Sequence, residues 1–586
     1  MGADANLVER IQARSVDLGS APVLTSIVDA ESEARVMSFA ELDRRARAVA
    51  AMLQTTCSVG DRAVLLFPHG LDYVATLVGC FYAGVVAVPA YPPNAAKLAS
   101  TAARVAGILA DADAAIILTD APTLAFARAA LDSPPAGWLV TDRLAEGIES
   151  EWKAPLLRGD SLAMIQYTSG STSSPKGVML SHANLVENLA MIHRTYAIDA
   201  STRVLSWLPL YHDMGLIGCV LGPAVWGVPA ILIPPLRTLA RPIRWLQAIS
   251  RFRANTCAAP NFGYDLAVRR ISDAECTGLD LSCWSLALNA AEPVRADTID
   301  AFTRKFAPYG FDRRAFRPTY GLAEATVFVS ASAARVEPTV VRVQAAPLAE
   351  GIVVPASPDD AAARTFVGVG HGAANEEIAI VDPTTRIAMD HRRVGEIWVK
   401  GPHVARGYWA RAEESADAFT ARFAGEEGGP FLRTGDLGFI DEGELFVVGR
   451  IRDLLVIHGK NHAAEDIEDT VRRTSPAVRI GAVAAFSVES STGESAVVIA
   501  EVEALRYASP PRAADEARAI DVEAAARELR RAVFEESGVM LHAVVFVRPG
   551  SMARTSSGKV QRHACKRAYA EGSLAVLGAY PSAPTE

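Results

Sequence analysis

Short runs of purely apolar residues alternate with helical stretches over most of this chain, and that alternation limits the fold more than any other feature. Ala114-Ala-Ile-Ile-Leu118 and Ala230-Ile-Leu-Ile-Pro234 carry no polar side chain, and Arg62-Ala-Val-Leu-Leu-Phe67 carries one at its start. Such strands cannot turn one face to water, so they belong inside a sheet covered on both sides, the usual position of parallel strands. The segments Ser38–Leu53 and Leu71–Ala83 have the apolar spacing of helices and supply the covers. The expected fold class is α/β, with a large N-terminal domain of parallel-type sheets covered by helices. From about Val394 the texture shifts to short strands and turns, Gly395–Lys400 and Glu444–Val448 among them, which read as a small β subdomain.

After Gly449 a compact α+β unit is expected. Glu465–Arg473 and Asp521–Phe534 read as helices, Arg479–Phe486 and Ala496–Glu503 as strands, and Ala543–Val547 as the final strand. Gly449-Arg-Ile-Arg-Asp453 has the glycine and alternating charge of a hinge. This divides the chain into residues 1–449, a hinge at 450–453 with Arg452 and Asp453, and a mobile C-terminal domain at 454–586. The tail beyond about Leu577 shows no pattern and reads as frayed.

With 586 residues, 50% hydrophobic and 21% charged, the composition supports several packed cores and excludes general disorder. The net charge of −9 leaves no basic footprint for nucleic acid or an anionic membrane. Seven cysteines without metal spacing fit a reducing cytoplasm. The N-terminus lacks the basic start and apolar core of a secretory signal. Met214–Ile233 is uncharged over a length able to span a bilayer, but Gly222-Pro223 and Gly227-Val-Pro229 interrupt it. It reads as a buried helix, a turn and a core strand, with no membrane span.

The densest chemistry lies in Tyr167-Thr-Ser-Gly-Ser-Thr-Ser-Ser-Pro-Lys-Gly-Val178. Its glycines permit close backbone approach to phosphate, its hydroxyls donate, and Lys176 adds a point charge. It is not a Walker A loop, because Pro175 precedes the lysine and Gly-Val follows it. Alone, it is equally compatible with a flexible surface turn. Further motifs follow in order: Ser206-Trp-Leu-Pro-Leu-Tyr-His-Asp-Met-Gly-Leu-Ile-Gly218, Arg317-Pro-Thr-Tyr-Gly-Leu-Ala-Glu-Ala-Thr326, Arg433-Thr-Gly-Asp-Leu-Gly438, Gly449-Arg-Ile-Arg-Asp453 and Arg554-Thr-Ser-Ser-Gly-Lys-Val-Gln-Arg562. Together they resemble the ordered core motifs of the adenylate-forming superfamily of acyl-CoA synthetases, adenylation domains, luciferases and fatty acyl-AMP ligases. The resemblance runs from about Ser38 to Arg562.

That resemblance implies roles. Thr168, Ser169, Gly170, Ser171, Thr172 and Lys176 would hold the ATP phosphates, and Glu324 would be the Mg²⁺ ligand. Ala291, Glu292, Tyr320, Gly321, Asp436 and Arg450 would surround adenosine, with Asp436 accepting both ribose hydroxyls and Tyr320 stacking on adenine. Ala290 stands where relatives carry a glycine, so a positive φ there would force a different local backbone. His212 would border the reacting carboxylate, a role to be weighed against that of a satisfied core histidine. Lys559 would reach from the C-terminal domain to the α-phosphate. Trp207, Met214, Gly215, Ile217 and Gly218 would wall a hydrocarbon tunnel.

Within the superfamily, the Thr-Ser-Gly-Ser-Thr-Ser-Ser-Pro-Lys-Gly loop, Phe81–Pro93 and Leu210–Gly218 look most like a fatty acyl-AMP ligase. The segment Ala346–Val367 sits where that branch carries an insertion. The implied function is ATP-dependent conversion of a fatty acid to acyl-adenylate, then transfer to the phosphopantetheine thiol of a separate acyl carrier protein. A coenzyme A ligase shares every ATP motif and is the runner-up. A peptide-synthetase adenylation domain ranks third, because no substrate-binding aspartate is apparent.

Overall fold

The computed structural model describes residues 6–29, 32–93, 98–131, 136–168, 175–360, 362–425, 429–457, 460–490, 493–502, 521–555 and 558–580. Ser169, Gly170, Ser171 and Thr172 lie outside the described residues.

Two large sheets form the N-terminal part. One has six strands in the spatial order Gly137–Val140, Ile116–Thr119, Arg62–Leu66, Val86–Ala90, Leu162–Tyr167 and Gly177–Ser181; all neighbours run parallel except the last pair. The other has nine strands, of which Phe316–Tyr320, Leu286–Asn289, Thr256–Ala259, Val204–Ser206, Ala230–Leu232 and Pro22–Ser26 are consecutive parallel neighbours. The apolar strands sit where their composition requires. Ala63, Val64, Leu65 and Leu66 are fully buried, as are Leu205, Leu232 and Ala287. The helix Leu71–Ala83 is buried along its whole length, because it packs between the first sheet and the helix Phe39–Leu53. Gly79 permits that approach, since a Cβ there would stand 2.6 Å from Val49.

A four-stranded antiparallel sheet follows, Glu377–Val381, Gly395–Lys400, Leu432–Asp441 and Glu444–Arg450. The segment Ala346–Val367 packs on it through Val353 and Phe366, which join Val343, Phe439 and Phe446 in one buried cluster. Beyond the single turn Ile451–Asp453, the described residues have a core of their own. There the strands Val478–Ser490, Gly493–Val502, Leu541–Val547 and Val576–Tyr580 make one sheet flanked by the helices Ala464–Thr474, Val522–Ser537 and Arg562–Ala570. The strand Val576–Tyr580 corrects the expectation that Ala543–Val547 is final and that the tail frays from Leu577. It pairs antiparallel with Leu541–Val547, Tyr580 opposite Val544.

The stretch Met214–Ile233 forms a helix with π character over Met214–Leu221, an α-helical turn Gly222–Trp226 and the strand Ala230–Leu232. Among the described residues, no helix is long and apolar enough to cross a membrane.

Candidate active site

Parallel strands release their chains at one edge of a sheet, and ligands of open α/β folds gather there. In the nine-stranded sheet, Asn289 lies opposite Ala259 and Pro318, so the loops that leave Ser206, Ala259, Asn289 and Tyr320 converge. They line one large cleft of about 2880 Å³, which is also lined by Gly449, Arg450, Asp469, Arg472, Lys559 and Arg562.

Asp436 and Arg450 face each other across paired strands, with Arg450 Nε 3.0 Å from Asp436 Oδ1. The other carboxylate oxygen accepts from Tyr320 Oη at 2.7 Å. Asp436 is thus a buried carboxylate whose two oxygens are oriented by a cation and a phenol. Arg450, beside Asp436, is held charged well above the usual guanidinium range. Gly321 is required sterically, because any Cβ there would collide with the Val327 carbonyl.

Glu324 sits on a single turn, Ala323–Ala325, and accepts from Tyr408 Oη at 3.0 Å. Burial raises its pKa, against the lowering influence of the Tyr408 hydroxyl and of Arg450, and the carboxylate lines the cleft. Lys176 lies 4.8 Å over the ring of the same Tyr408 and pairs with Glu414. Tyr408 therefore touches both Lys176 and Glu324. Thr168 N donates to Lys176 O at 3.0 Å, closing the neck of the loop. Neither Tyr408 nor Glu414 carries a local sequence signal; both become visible only when the loop after Gly401 folds against the strand Gly177–Ser181.

On the adjoining wall, His212 Nδ1 lies 2.6 Å from Asp213 Oδ1. Burial by itself would raise the Asp213 carboxyl, but His212, the Met214 amide and Lys559 hold it below the ordinary value. Asp213 is a member of the site that sequence reading passed over, although it stands next to His212. Glu292 accepts from the Phe262 amide, and burial raises its pKa. Ala290 is buried with ordinary backbone, whereas Ala291 holds φ 71°, so the left-handed residue falls one position later than the glycine comparison anticipates.

Lys559 completes the arrangement from the C-terminal unit. Burial and Arg450 lower its pKa, while Glu292, Asp213 and Asp436 raise it, which places one ammonium in the field of three active-site carboxylates. Its loop is pinned by Thr555 N donating to Lys559 O at 2.7 Å and by Lys559 N donating to Thr555 Oγ1 at 3.0 Å. Arg562 ties that loop to the turn at Asp453 at 2.6 Å, and to Glu465 at 2.8 Å and Glu468 at 2.7 Å. Arg452, in the same turn, is exposed and lines the cleft.

An apolar arm of the cleft is lined by Trp207, Met214, Gly218, Ile192, Tyr196 and Phe328. Gly215 and Ile217 are not part of that wall. Ile217 is buried in the core, and Gly215 exists for packing, since a Cβ there would stand 2.5 Å from Pro209 O.

Comparisons with known proteins identify the family. The family model of AMP-binding enzymes matches residues 17–409, and a model described as the AMP domain of Disco-interacting protein 2-like proteins matches 452–578. The medium-chain-fatty-acid–[acyl-carrier-protein] ligase JamA of Moorena producens is 38% identical over 97% of this chain and 96% of its own. The corresponding ligase TtuA of Teredinibacter turnerae is 31% identical over 99% and 96%. A fatty acyl-adenylate ligase of Legionella pneumophila, solved with acyl adenylate and pyrophosphate, superposes with a TM-score of 0.76 at 34% identity, covering 98% of this chain and 97% of that one. The chain belongs to the AMP-binding enzymes, and within the adenylate-forming superfamily it is a fatty acyl-AMP ligase.

Proposed function

We propose that this ligase activates a fatty acid with ATP and passes the acyl group to the phosphopantetheine thiol of a separate acyl carrier protein. A carboxylate oxygen attacks the α-phosphorus and pyrophosphate leaves with the bonding electrons; the thiol then attacks the acyl carbonyl, loses its proton and displaces AMP. The observation that carries the reading is Lys559, which lines the cleft within the electrostatic field of Glu292, Asp213 and Asp436. A cation there stabilises the negative charge that gathers on the α-phosphoryl as the bond to pyrophosphate breaks. Asp436 and Arg450 would receive the ribose, the neck of the Thr168–Lys176 loop would receive the outer phosphates, and His212 would border the carboxylate. Glu324 would ligate Mg²⁺, which supplies charge neutralisation on the phosphates. The similarity to JamA and TtuA, both medium-chain-fatty-acid–[acyl-carrier-protein] ligases, supports a medium-chain acid and a carrier-protein acceptor. Seven unpaired thiols support a cytoplasmic enzyme.

One incubation tests the reading. Protein, ATP, Mg²⁺ and a series of fatty acids, with acyl-adenylate, acyl-CoA and acyl-carrier-protein products resolved by mass, should yield acyl-adenylate and then the acylated carrier. Acyl-CoA as the main product would favour the coenzyme A ligase, and adenylate from amino acids alone would overturn the substrate class.

A further inference from the structure

The helical wall of the apolar arm ends beneath an aromatic ring. Met214, Gly218 and Gly222 recur at a spacing of four along the continuous helical segment Met214–Trp226, so they follow one another along one side of it. Met214 and Gly218 line the arm, and a Cβ added to Gly218 would meet nothing within 4 Å. Gly218 therefore leaves a groove. At Gly222 the relation reverses: a Cβ would lie within 2.8 Å of Cη2, Cζ3 and Cζ2 of Trp226. The indole rests on the bare backbone of that glycine and is held there, with Nε1 donating to Leu189 O at 3.1 Å. Trp226 lines the same cavity.

We propose that Trp226 is the stop that sets acyl-chain length, with Gly218 as the groove that lets the chain reach it. This rests on the fatty-acid reading and adds the residue that selects among fatty acids. Met214 directly follows the His212–Asp213 pair at the reacting end. Met214–Leu221 is wound with π character, wider and shorter per residue than an α-helix, so Met214 to Gly222 rises less than the ~12 Å that eight residues at 1.5 Å each would give. An extended hydrocarbon of fewer than about ten carbons fills that distance. Each methylene entering the arm raises kcat/KM by about fourfold. A longer chain must displace an indole that is both hydrogen-bonded and seated on backbone, so the gain stops there.

The test is the chain-length profile of kcat/KM for acyl-adenylate formation, from four to eighteen carbons, in the full-length enzyme and in the Trp226→Ala, Trp226→Leu and Gly218→Leu variants. The two Trp226 variants should move the optimum several carbons longer, and Gly218→Leu should move it shorter. Variants that retain wild-type thermal stability and peak at the wild-type length overturn the stop. If the wild type forms no adenylate from any fatty acid, the substrate reading falls, and the stop falls with it.

Discussion

The roles proposed for Lys559 and Asp436 concern the same nucleotide in different states, and single substitutions should separate them. In the proposed role Lys559 meets charge that develops only as the α-phosphoryl is transferred, so Lys559→Ala should lower kcat for adenylate formation about a hundredfold or more while leaving ATP affinity nearly intact. Pyrophosphate release and equilibrium ATP binding measure the two quantities, and an unchanged rate would refute the role. Because burial and Arg450 lower its pKa below the ordinary 10.5, the charged form is lost earlier than for a solvated lysine. The kcat/KM profile should therefore fall on its alkaline side through an apparent pKa below 10.5, and Lys559→Arg should abolish that limb. Asp436→Ala removes acceptors that are already oriented by Tyr320 and Arg450 and leaves Arg450 without its partner. ATP affinity should fall roughly ten- to a hundredfold, the cost of a charge-assisted hydrogen bond. Nucleotide binding equal to wild type would reject the ribose assignment.

At the scale of elements, the turn that carries Glu324 is supported from behind by the loop 401–405. Ala405 N donates to Glu324 O at 2.9 Å, and Thr326, held at φ 70°, donates from Oγ1 to His403 O at 2.6 Å. The His403 ring lies fully buried, 3.1 Å from an equally buried Glu376. Burial pushes the Glu376 carboxyl up to about 8 and the His403 imidazole down to about 4, so the pair is neutral in the fold. The unfolded chain ionises Glu376 near 4.5, so the folded state binds the extra proton and this contribution is lost as pH rises towards about 8. His403 works in the opposite sense between about 4 and 6.5 and is silent above that. Between pH 6.5 and 8 the wild type should therefore lose melting temperature faster than Glu376→Gln. Parallel curves in calorimetry would show that the pair does not titrate in this way.

The same scale shows what the sequence made legible. Leu71–Ala83 was readable to the residue, because every position but Asp72 in its first turn is apolar or small and Gly84, at φ 72°, closes it. Val576–Tyr580 was not readable. Its glycine, Gly578, reads as a break, but a Cβ there would stand 2.7 Å from Val522, so the residue exists to let the strand pass beneath the helix Val522–Ser537. Gly215 misled for a related reason. A glycine in an apolar stretch can face a cavity or a neighbouring carbonyl, and only the fold tells Gly218 from Gly215. The site residues with motif neighbours, Asp436 and Lys559, were legible; Tyr408 and Glu414 depend on a loop meeting a strand more than two hundred residues away.

Across the whole molecule, a small set of ion pairs holds the C-terminal unit over the cleft with Lys559 inside. Arg364 pairs with Asp466, Arg295 with Asp469, and Arg472 lies 2.8 Å from Asp297 and 3.6 Å from Asp265. Arg364 belongs to the segment Ala346–Val367, which we propose restrains the C-terminal unit and so disfavours transfer to free coenzyme A. An arrangement with Lys559 over the site suits adenylation, and a thiol acceptor requires that unit to move aside. Deleting the whole segment would also remove Phe366 from a buried cluster, so the sharper test is the ion pair itself. An ion pair worth about 1 kcal/mol changes a two-state population about fivefold. Arg364→Ala and Asp466→Ala should each raise acyl-CoA formation from preformed acyl-adenylate by about that factor and leave adenylate formation within about twofold, and the double variant should add little to either. Should both variants fold, make acyl-adenylate and still yield no acyl-CoA, the restraint does not govern the acceptor, and the discrimination against coenzyme A must reside in the cleft that receives the thiol.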